Sequence, residues 1–252
     1  MEADAHFLMG STHGICQDYA LAGFTRLRWA AIVCDGCSSS PDTDLGARVL
    51  ARAFLATLMQ KVSVTKAVDQ ALEVAHTVAK QLDLPLEALD ATLCGWIIED
   101  GVAHGFVHGD GILSVRSSVG LEIHHATQPS NAPDYPNYRC DSERALAHHQ
   151  KYGADTIVTI SGLSPRSFAV QGDYRIELPL EGITGFAAFS DGAATVSNGE
   201  ETLPVVSVVD SLTRFPQPNG TFFNRRLRRQ VRDWAKLGFA PTDDLAGAAI
   251  AL

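Results

Sequence analysis

The chain lacks what several broad classes of protein require. None of its apolar runs approaches the length that crosses a bilayer. The opening Met1-Glu2-Ala3-Asp4 has neither the basic nor the apolar region of a secretory leader. These absences lead us to expect a cytoplasmic protein with no membrane partner. Basic residues are in short supply: 20 Lys and Arg face 29 Asp and Glu, for a formal net charge of -9 at pH 7. Such a surplus repels phosphate backbones, so no nucleic-acid partner is expected. Cysteine is sparse and odd in number, five at irregular spacing, which suits reduced thiols in a cytosol. Cys34 and Cys37 form a C-x-x-C pair, but no second pair or histidine at ligand spacing completes a zinc site. Pro41 places the following helix too late for a redox motif, so Cys34 reads as a buried strand residue and Cys37 as a loop residue. The nine histidines include no helical H-E-x-x-H and read as scattered surface imidazoles. Neither a linker nor an internal repeat divides the 252 residues, and a single domain over 1–252 is expected.

What the chain does have is Asp-Gly beside short apolar runs. Ile32-Val33-Cys34-Asp35-Gly36, Phe106-Val107-His108-Gly109-Asp110-Gly111 and Ala187-Ala188-Phe189-Ser190-Asp191-Gly192 each read as a strand delivering a carboxylate. A last apolar stretch is reached through Thr242-Asp243-Asp244. Carboxylates at several strand ends suit hard divalent cations, which take oxygen ligands. Asp-Gly is also a common hairpin turn, because both residues tolerate positive φ. Asp100-Gly101, between two strand-like runs, reads as that plain turn. After Asp35 the chain runs through Cys37-Ser38-Ser39-Ser40-Pro41 into a helix pattern, and after Asp191 into small residues, so neither closes a simple hairpin. Asp110 stays open, since Ile112-Leu113-Ser114-Val115 reads equally well as a return strand. Spacing alone favours a metal site narrowly over three unrelated turns.

Periodicity supplies the frame. Strands are expected near 6–9 and 27–34, with a loop of polar groups over 10–18. Pro41-Asp42-Thr43-Asp44 caps a helix to about residue 59, whose stripe is Leu45, Val49, Leu50, Ala53, Phe54 and Leu58. A second helix spans 63–82, and strands dominate from 91 to 125. The polar, Pro- and Asn-rich stretch 128–153, with a short helix over 142–149, reads as an ordinary loop in preference to a lid over substrate. Strands follow over 155–160, 168–178 and 185–189, then helices over 203–212 and 223–237, then a strand over 245–252. That order describes an α/β or α+β layered domain with antiparallel sheets and helices outside. Arg225, Arg226, Arg228, Arg229 and Arg232 on the last helix read as a solvated face offset by acidic neighbours, with docking of an acidic or phosphorylated partner as the sharper alternative. Trp29, Trp96 and Trp234 read as core residues.

At these residues the chain resembles the metal-dependent serine/threonine phosphatases of type 2C, in their bacterial form. Cys16-Gln17-Asp18-Tyr19-Ala20 is similar to the family's early acidic motif. Val33-Cys34-Asp35-Gly36, with Gly46-Ala47-Arg48 after it, Asp90-Ala91-Thr92-Leu93, Val107-His108-Gly109-Asp110, Phe189-Ser190-Asp191-Gly192 and Thr242-Asp243-Asp244-Leu245 follow in family order. The resemblance implies an α+β fold, a four-layer α-β-β-α sandwich with two antiparallel sheets between helix pairs. It implies two Mg²⁺ or Mn²⁺ ions, with Asp35 bridging, Gly36 offering its carbonyl, and Asp191 and Asp243 completing the ligands. Asp18 would accept hydrogen bonds from waters on the ions. The place of the family's phosphate-gripping Arg is taken by His13, that of a proposed His general acid by Cys37, and that of a Gly-Gly by Ser38-Ser39. Asp110 resembles a ligand of a third ion, whose second acidic position falls on Thr195.

The implied activity is hydrolysis of phosphoserine or phosphothreonine in a protein, a kinase or kinase target, by a monomer. Two other readings stand beside it. One is a phosphatase-like regulatory or binding module without turnover, suggested by His13 and Cys37. The other is a phosphatase of a small phosphorylated metabolite.

Overall fold

The computed structural model describes residues 1–60 and 62–252. In chain order its main elements are β1 (Glu2–Leu8), β2 (Tyr19–Phe24), β3 (Arg28–Cys34), α1 (Thr43–Met59) and α2 (Val64–Gln81). Four strands follow: β4 (Leu93–Glu99), β5 (Val102–His108), β6 (Gly111–Ser117) and β7 (Leu121–Thr127). After α3 (Ser142–Tyr152) come β8 (Asp155–Gly162), β9 (Arg166–Gln171), β10 (Tyr174–Pro179) and β11 (Ile183–Phe189). The remainder comprises β12 (Val196–Ser197), α4 (Val205–Leu212), α5 (Phe222–Ala235), β13 (Ala240–Pro241) and β14 (Leu245–Ala251). No helix among the described residues is long and apolar enough to cross a membrane.

The strands form two large antiparallel sheets, one of seven in the order β1-β14-β11-β6-β7-β8-β9 and one of five in the order β10-β5-β4-β3-β2. Three hydrophobic cores correspond to the three interfaces of a four-layer α-β-β-α sandwich. Successive strand residues point to opposite faces, so each inner strand divides its apolar residues between two cores. Ala30, Ile32 and Cys34 of β3 pack with Leu50, Phe54 and Leu58 of α1, while Ala31 and Val33 face the other sheet. Ala246, Ala248 and Ile250 of β14 face inward, and Leu245, Ala249 and Ala251 pack with Phe223 and Leu227 of α5. Strands covered on both faces need unbroken apolar runs, which is why β3 and β14 show no polar alternation. Trp96 of β4, fully buried between the sheets, donates from Nε1 to the Ala187 carbonyl of β11 at 3.1 Å and ties one sheet to the other.

Several expectations gain sharper form. Asp100 (φ 49°) and Gly101 (φ 80°) make the plain β4–β5 turn, both in the left-handed region. Gly109-Asp110, by contrast, is no hairpin: β5 belongs to the five-stranded sheet and β6 to the seven-stranded one, so the chain changes layers at Asp110. It changes layers again between β9 and β10, where a single strand over 168–178 was expected. Tyr19–Phe24 is a strand that the expected elements omit; it is short and lies at a sheet edge. Trp96 and Trp234 are core residues, but Trp29 is half-buried and stacks on exposed Phe24 with ring centroids 4.7 Å apart. Two histidines expected at the surface are instead buried with partners: His108 against Asp173, and His124 between Tyr174 and Glu122.

Candidate active site

The layer changes and strand ends bring distant carboxylates to one end of the sandwich. A cavity of about 370 Å³ there is lined by His13, Asp35, Gly36, Asp110, Asp191 and Asp243, among others. Asp18 is not in the lining. It lies directly behind, only 1% exposed, and its Oδ2 has no hydrogen-bonding partner.

Each carboxylate is held by local backbone. Asp35 follows β3, and its N–H donates to Thr92 Oγ1 at 3.2 Å while its carbonyl accepts from Thr92 N–H at 2.8 Å. Asp191 begins a single 3-10 turn after β11. Asp243 and Asp244 lie between β13 and β14, gripped from both sides by glycines. A Cβ on Gly10 would stand 2.3 Å from the Asp243 carbonyl carbon, and one on Gly192 would stand 1.8 Å from the Asp244 oxygen. Thr195, which falls where a third ion's acidic ligand was expected, instead fastens this segment: its Oγ1 donates to Gly192 O at 2.9 Å and accepts from Asp243 N–H at 3.1 Å.

The carboxyls perturb one another strongly. Burial, followed by repulsion from Asp18, Asp191 and Asp110, holds the Asp35 carboxyl well above the usual carboxylate range. Asp18 is raised by burial above all, with relief from hydrogen bonds to Ser190 and Asp35. Asp191 is raised by burial and then by Asp243. Asp110 is pushed up to about 7 by burial and then by Asp191. Asp35 is therefore the hub that each of Asp18, Asp110 and Asp191 faces. Such a set ionises together only if positive charge enters among them.

The donor set fits divalent cations. It is all oxygen, it carries several negative charges, and it includes the unpartnered Asp18 Oδ2. Among the described residues no three His, Cys, Asp or Glu side chains close around a single point. The carboxylates ring the cavity instead, which at about 30 Å³ per water has room for roughly a dozen waters. That suits ions that keep much of their hydration and take only one or two carboxylates each, as Mg²⁺ does.

His13 occupies the place expected of a phosphate grip, but both of its ring nitrogens face carboxylates. Nε2 lies 3.2 Å from Asp243 Oδ1 and Nδ1 lies 3.2 Å from Asp244 Oδ2. Asp244, not singled out by sequence reasoning, is buried and accepts from the N–H groups of Gly10 and Gln17, each at 2.7 Å. It fixes the 10–18 loop that carries His13 and Asp18. Cys37 is half-buried in the lining; burial raises its thiol, but hydrogen bonds from Ser39, Tyr135 and Ser40 outweigh that and hold it low.

Sequence reasoning also missed one wall. Ser130, Asn131, Ala132 and Pro133 line the cavity together with Tyr135, Tyr138, His148 and Tyr152, so the stretch 128–153 is part of the site and not a plain loop. The His148 ring lies 5.1 Å from both Tyr138 and Tyr152. Two close aromatic pairs, Tyr135 with Tyr138 and His148 with Tyr152, within a polar, Pro-rich stretch are the signal that would have marked it. Among the described residues no Arg or Lys appears in this lining.

The protein phosphatase 2C family model matches residues 11–234. No curated protein matches the chain. Among solved structures it is similar to the serine/threonine phosphatase Stp1 from Staphylococcus aureus, at 12% identity and a TM-score of 0.55, covering 100% of this chain and 95% of that one. It is similar to PppA of Pseudomonas aeruginosa at 14% identity and a TM-score of 0.54, covering 99% and 97%. The phosphatase domain of SpoIIE from Bacillus subtilis, in a structure that includes a fragment of its regulatory domain, aligns at 11% identity with a TM-score of 0.56, covering 100% of this chain and 63% of that one.

Proposed function

The chain belongs to the protein phosphatase 2C family, and from that premise we propose that it hydrolyses phosphoserine or phosphothreonine in a protein substrate with the help of two Mg²⁺ or Mn²⁺ ions. The observation that carries this reading is the gathering of Asp18, Asp35, Asp110, Asp191 and Asp243 about one cavity, from positions spread over most of the sequence. Asp35, Gly36, Asp191 and Asp243 are the proposed ligands, and Asp110 the proposed ligand of a third ion. Bound there, the ions supply Lewis acidity to the phosphoryl oxygens and bring a coordinated water near neutral acidity.

The remaining work falls to side chains of this protein. Asp18 acts from behind the lining, through its hydrogen bond with Asp35, and so orients that carboxylate. His13 holds Asp243 in place from one side, against the buried Asp244 on the other. With no guanidinium among the described residues of the lining, the phosphoryl group meets the hydroxyls of Ser38 and Ser39 besides the cations. The wall of Tyr138, His148 and Tyr152 limits bulk water and bears on whatever chain carries the phosphate. A phosphorylated protein, a kinase or a kinase target, is the partner this reading implies.

The missing guanidinium favours one further reading, a phosphatase-like module that binds metal and phosphoprotein without turnover. Hydrolysis of a phosphothreonine peptide and of phosphosugars in Mn²⁺, beside calorimetric titration of Mn²⁺, separates the readings. Metal-dependent turnover of the peptide, abolished by EDTA, supports the proposal. Tight Mn²⁺ binding without turnover supports the module, and turnover confined to phosphosugars supports a metabolite phosphatase. Undiminished turnover in excess chelator would falsify the role given to the ions.

A further inference from the structure

The acidic chain places five arginines on α5, and three of them, Arg225, Arg226 and Arg229, line one cleft. A cleft of about 250 Å³ between α5 and the segment before it is lined by Arg214, Arg225, Arg226 and Arg229, over Phe215, Pro216 and Phe222. No acidic residue lines this cleft, and it shares no residue with the catalytic cavity. Its floor is apolar and built: Phe222 is buried, and Phe215 packs edge-on against it with ring centroids 4.7 Å apart.

The guanidinium groups are anchored at the cleft and crowd one another. Arg226 donates from Nε to the Ser211 carbonyl at 2.5 Å, and Arg225 donates from Nη2 to the Asn219 carbonyl at 2.9 Å. Burial, then the neighbouring charges of Arg229 and Arg214, hold the Arg226 guanidinium below its ordinary range. Two carboxylates offset part of this charge. Asp210 pairs with Arg214 at 2.5 Å, and Asp233 lies 3.8 Å from Arg229 while it is shared with Lys236. A set of like charges held together beside apolar surface is complementary to an anion with an apolar part.

Spacing narrows the class. On a helix rising 1.5 Å per residue, Arg225 and Arg229 stand about 6 Å apart along the axis. Side chains on one face of an extended peptide recur about every 6.8 Å. Guanidinium groups take carboxylates in bidentate pairs. The net charge of -9 opposes long polyanions and anionic bilayers, which would face the whole acidic molecule, whereas a short segment meets the cleft alone.

We propose that the cleft between α5 and residues 214–217 docks an acidic, extended segment of a protein partner, with alternate carboxylates on Arg225 and Arg229 and an apolar side chain against Phe215 and Phe222. The surface operates apart from hydrolysis, so it stands or falls independently of the catalytic reading.

The test is fluorescence anisotropy with a labelled peptide Glu-Leu-Glu-Phe-Glu, titrated with the full chain. The expected result is saturable binding that weakens as salt rises and is lost when Gln replaces each Glu. Arg225→Glu/Arg229→Glu should weaken it at least tenfold while metal-dependent hydrolysis of p-nitrophenyl phosphate stays within twofold of wild type. Because Arg225 also holds Asn219, Arg229→Glu alone serves as the second variant and should weaken binding at least threefold with an unchanged melting temperature. Equal binding by the wild type and Arg229→Glu, no binding at millimolar peptide, or tighter binding to phosphatidylserine vesicles or to oligouridylate than to peptide would each overturn the proposal.

Discussion

Arg144 of α3 places Nη2 2.6 Å from Oδ2 of Asp90, and through that bond the outer wall of the carboxylate-lined cavity is fastened to the segment that leads into β4. Asp90 is buried, and it also accepts from Asn137 Nδ2 at 2.7 Å and from Ser40 Oγ at 3.1 Å. Its carbonyl accepts from the Cys37 N–H at 2.8 Å. One carboxylate thus joins the loop after Asp35 to the stretch that carries Tyr135, Tyr138 and His148. Arg144 also lies over the Tyr138 ring, 4.8 Å from its centroid.

Arg144→Ala should therefore loosen the wall without touching the carboxylates. We expect KM for a phosphopeptide to rise roughly tenfold, with a smaller change for p-nitrophenyl phosphate, which is too small to lean on the wall. The buried Asp90 loses its cation, at a cost of about 1–3 kcal/mol. Steady-state kinetics on both substrates with a urea melt checks this, and equal KM changes for the two substrates would contradict it.

His13→Ala removes the imidazole that spans Asp243 and Asp244 while leaving Asp244 bonded to the Gly10 and Gln17 N–H groups. Loss of a partner that orients a ligand typically costs 10–100-fold in metal affinity. Calorimetric titration should show Mn²⁺ binding weakened by about tenfold or more. Restoring activity with excess Mn²⁺ would mark His13 as a positioning residue. Activity that stays low at saturating Mn²⁺ would instead mark a direct contact with phosphate.

Asp35→Asn should separate stability from activity. Removing the hub charge relieves repulsion with Asp18, Asp191 and Asp110, so in EDTA the variant should melt at a higher temperature than wild type. Hydrolysis should fall by at least two orders of magnitude, since the proposed bridging ligand is gone. A lower melting temperature in EDTA would show that the carboxylate stabilises the fold by contacts other than those described.

The pH dependence of the chelated protein follows from the same carboxyls. Asp110, with its pKa near 7, and Asp18, Asp35 and Asp191, all raised, bind protons more tightly folded than unfolded, where Asp titrates near 3.9. Their contribution to stability is complete below about pH 4 and is lost as pH rises through the folded values. In EDTA these carboxyls should stabilise the protein as pH falls from about 8, by up to about 1.4 kcal/mol per pH unit for each group titrating, opposed below about pH 6.5 by His6, His108, His124, His125 and His148, whose imidazoles burial holds low. Below about pH 4 the slope should turn over. Burial pushes Asp173 up, but His108 and then Arg139 outweigh it and hold that carboxylate below the ordinary range, so acid removes its contribution. Melting curves across pH with EDTA and with Mn²⁺ test this; an acid-side gain of equal size in both would refute it.

Much of this arrangement was legible in the chain. The unbroken apolar runs of β3, β11 and β14 announce strands covered on both faces, and the carboxylates at Asp35, Asp191 and Asp243 follow from where those runs stop. The stripe through Leu50, Phe54 and Leu58 gives α1. Asp244 escaped notice because its work, accepting two backbone N–H bonds from residues more than 220 positions away, leaves no local pattern. The wall over 128–153 escaped because polar, Pro-rich composition describes any surface segment. Its place opposite the carboxylates depends on Arg144 finding Asp90.

By itself the sequence determined most of the elements, β2 and the β9–β10 break excepted, with their apolar faces and the identity of the acidic residues, since periodicity and strand ends are local properties that short-range sterics enforce. Only the tertiary structure decided that Asp110 crosses between sheets instead of turning a hairpin, that His13 faces two carboxylates, and that Arg214 joins the arginines of α5 around one cleft. Those outcomes depend on which layer each strand joins, and that choice is made by burial of apolar faces across the whole chain, not by any short stretch of it.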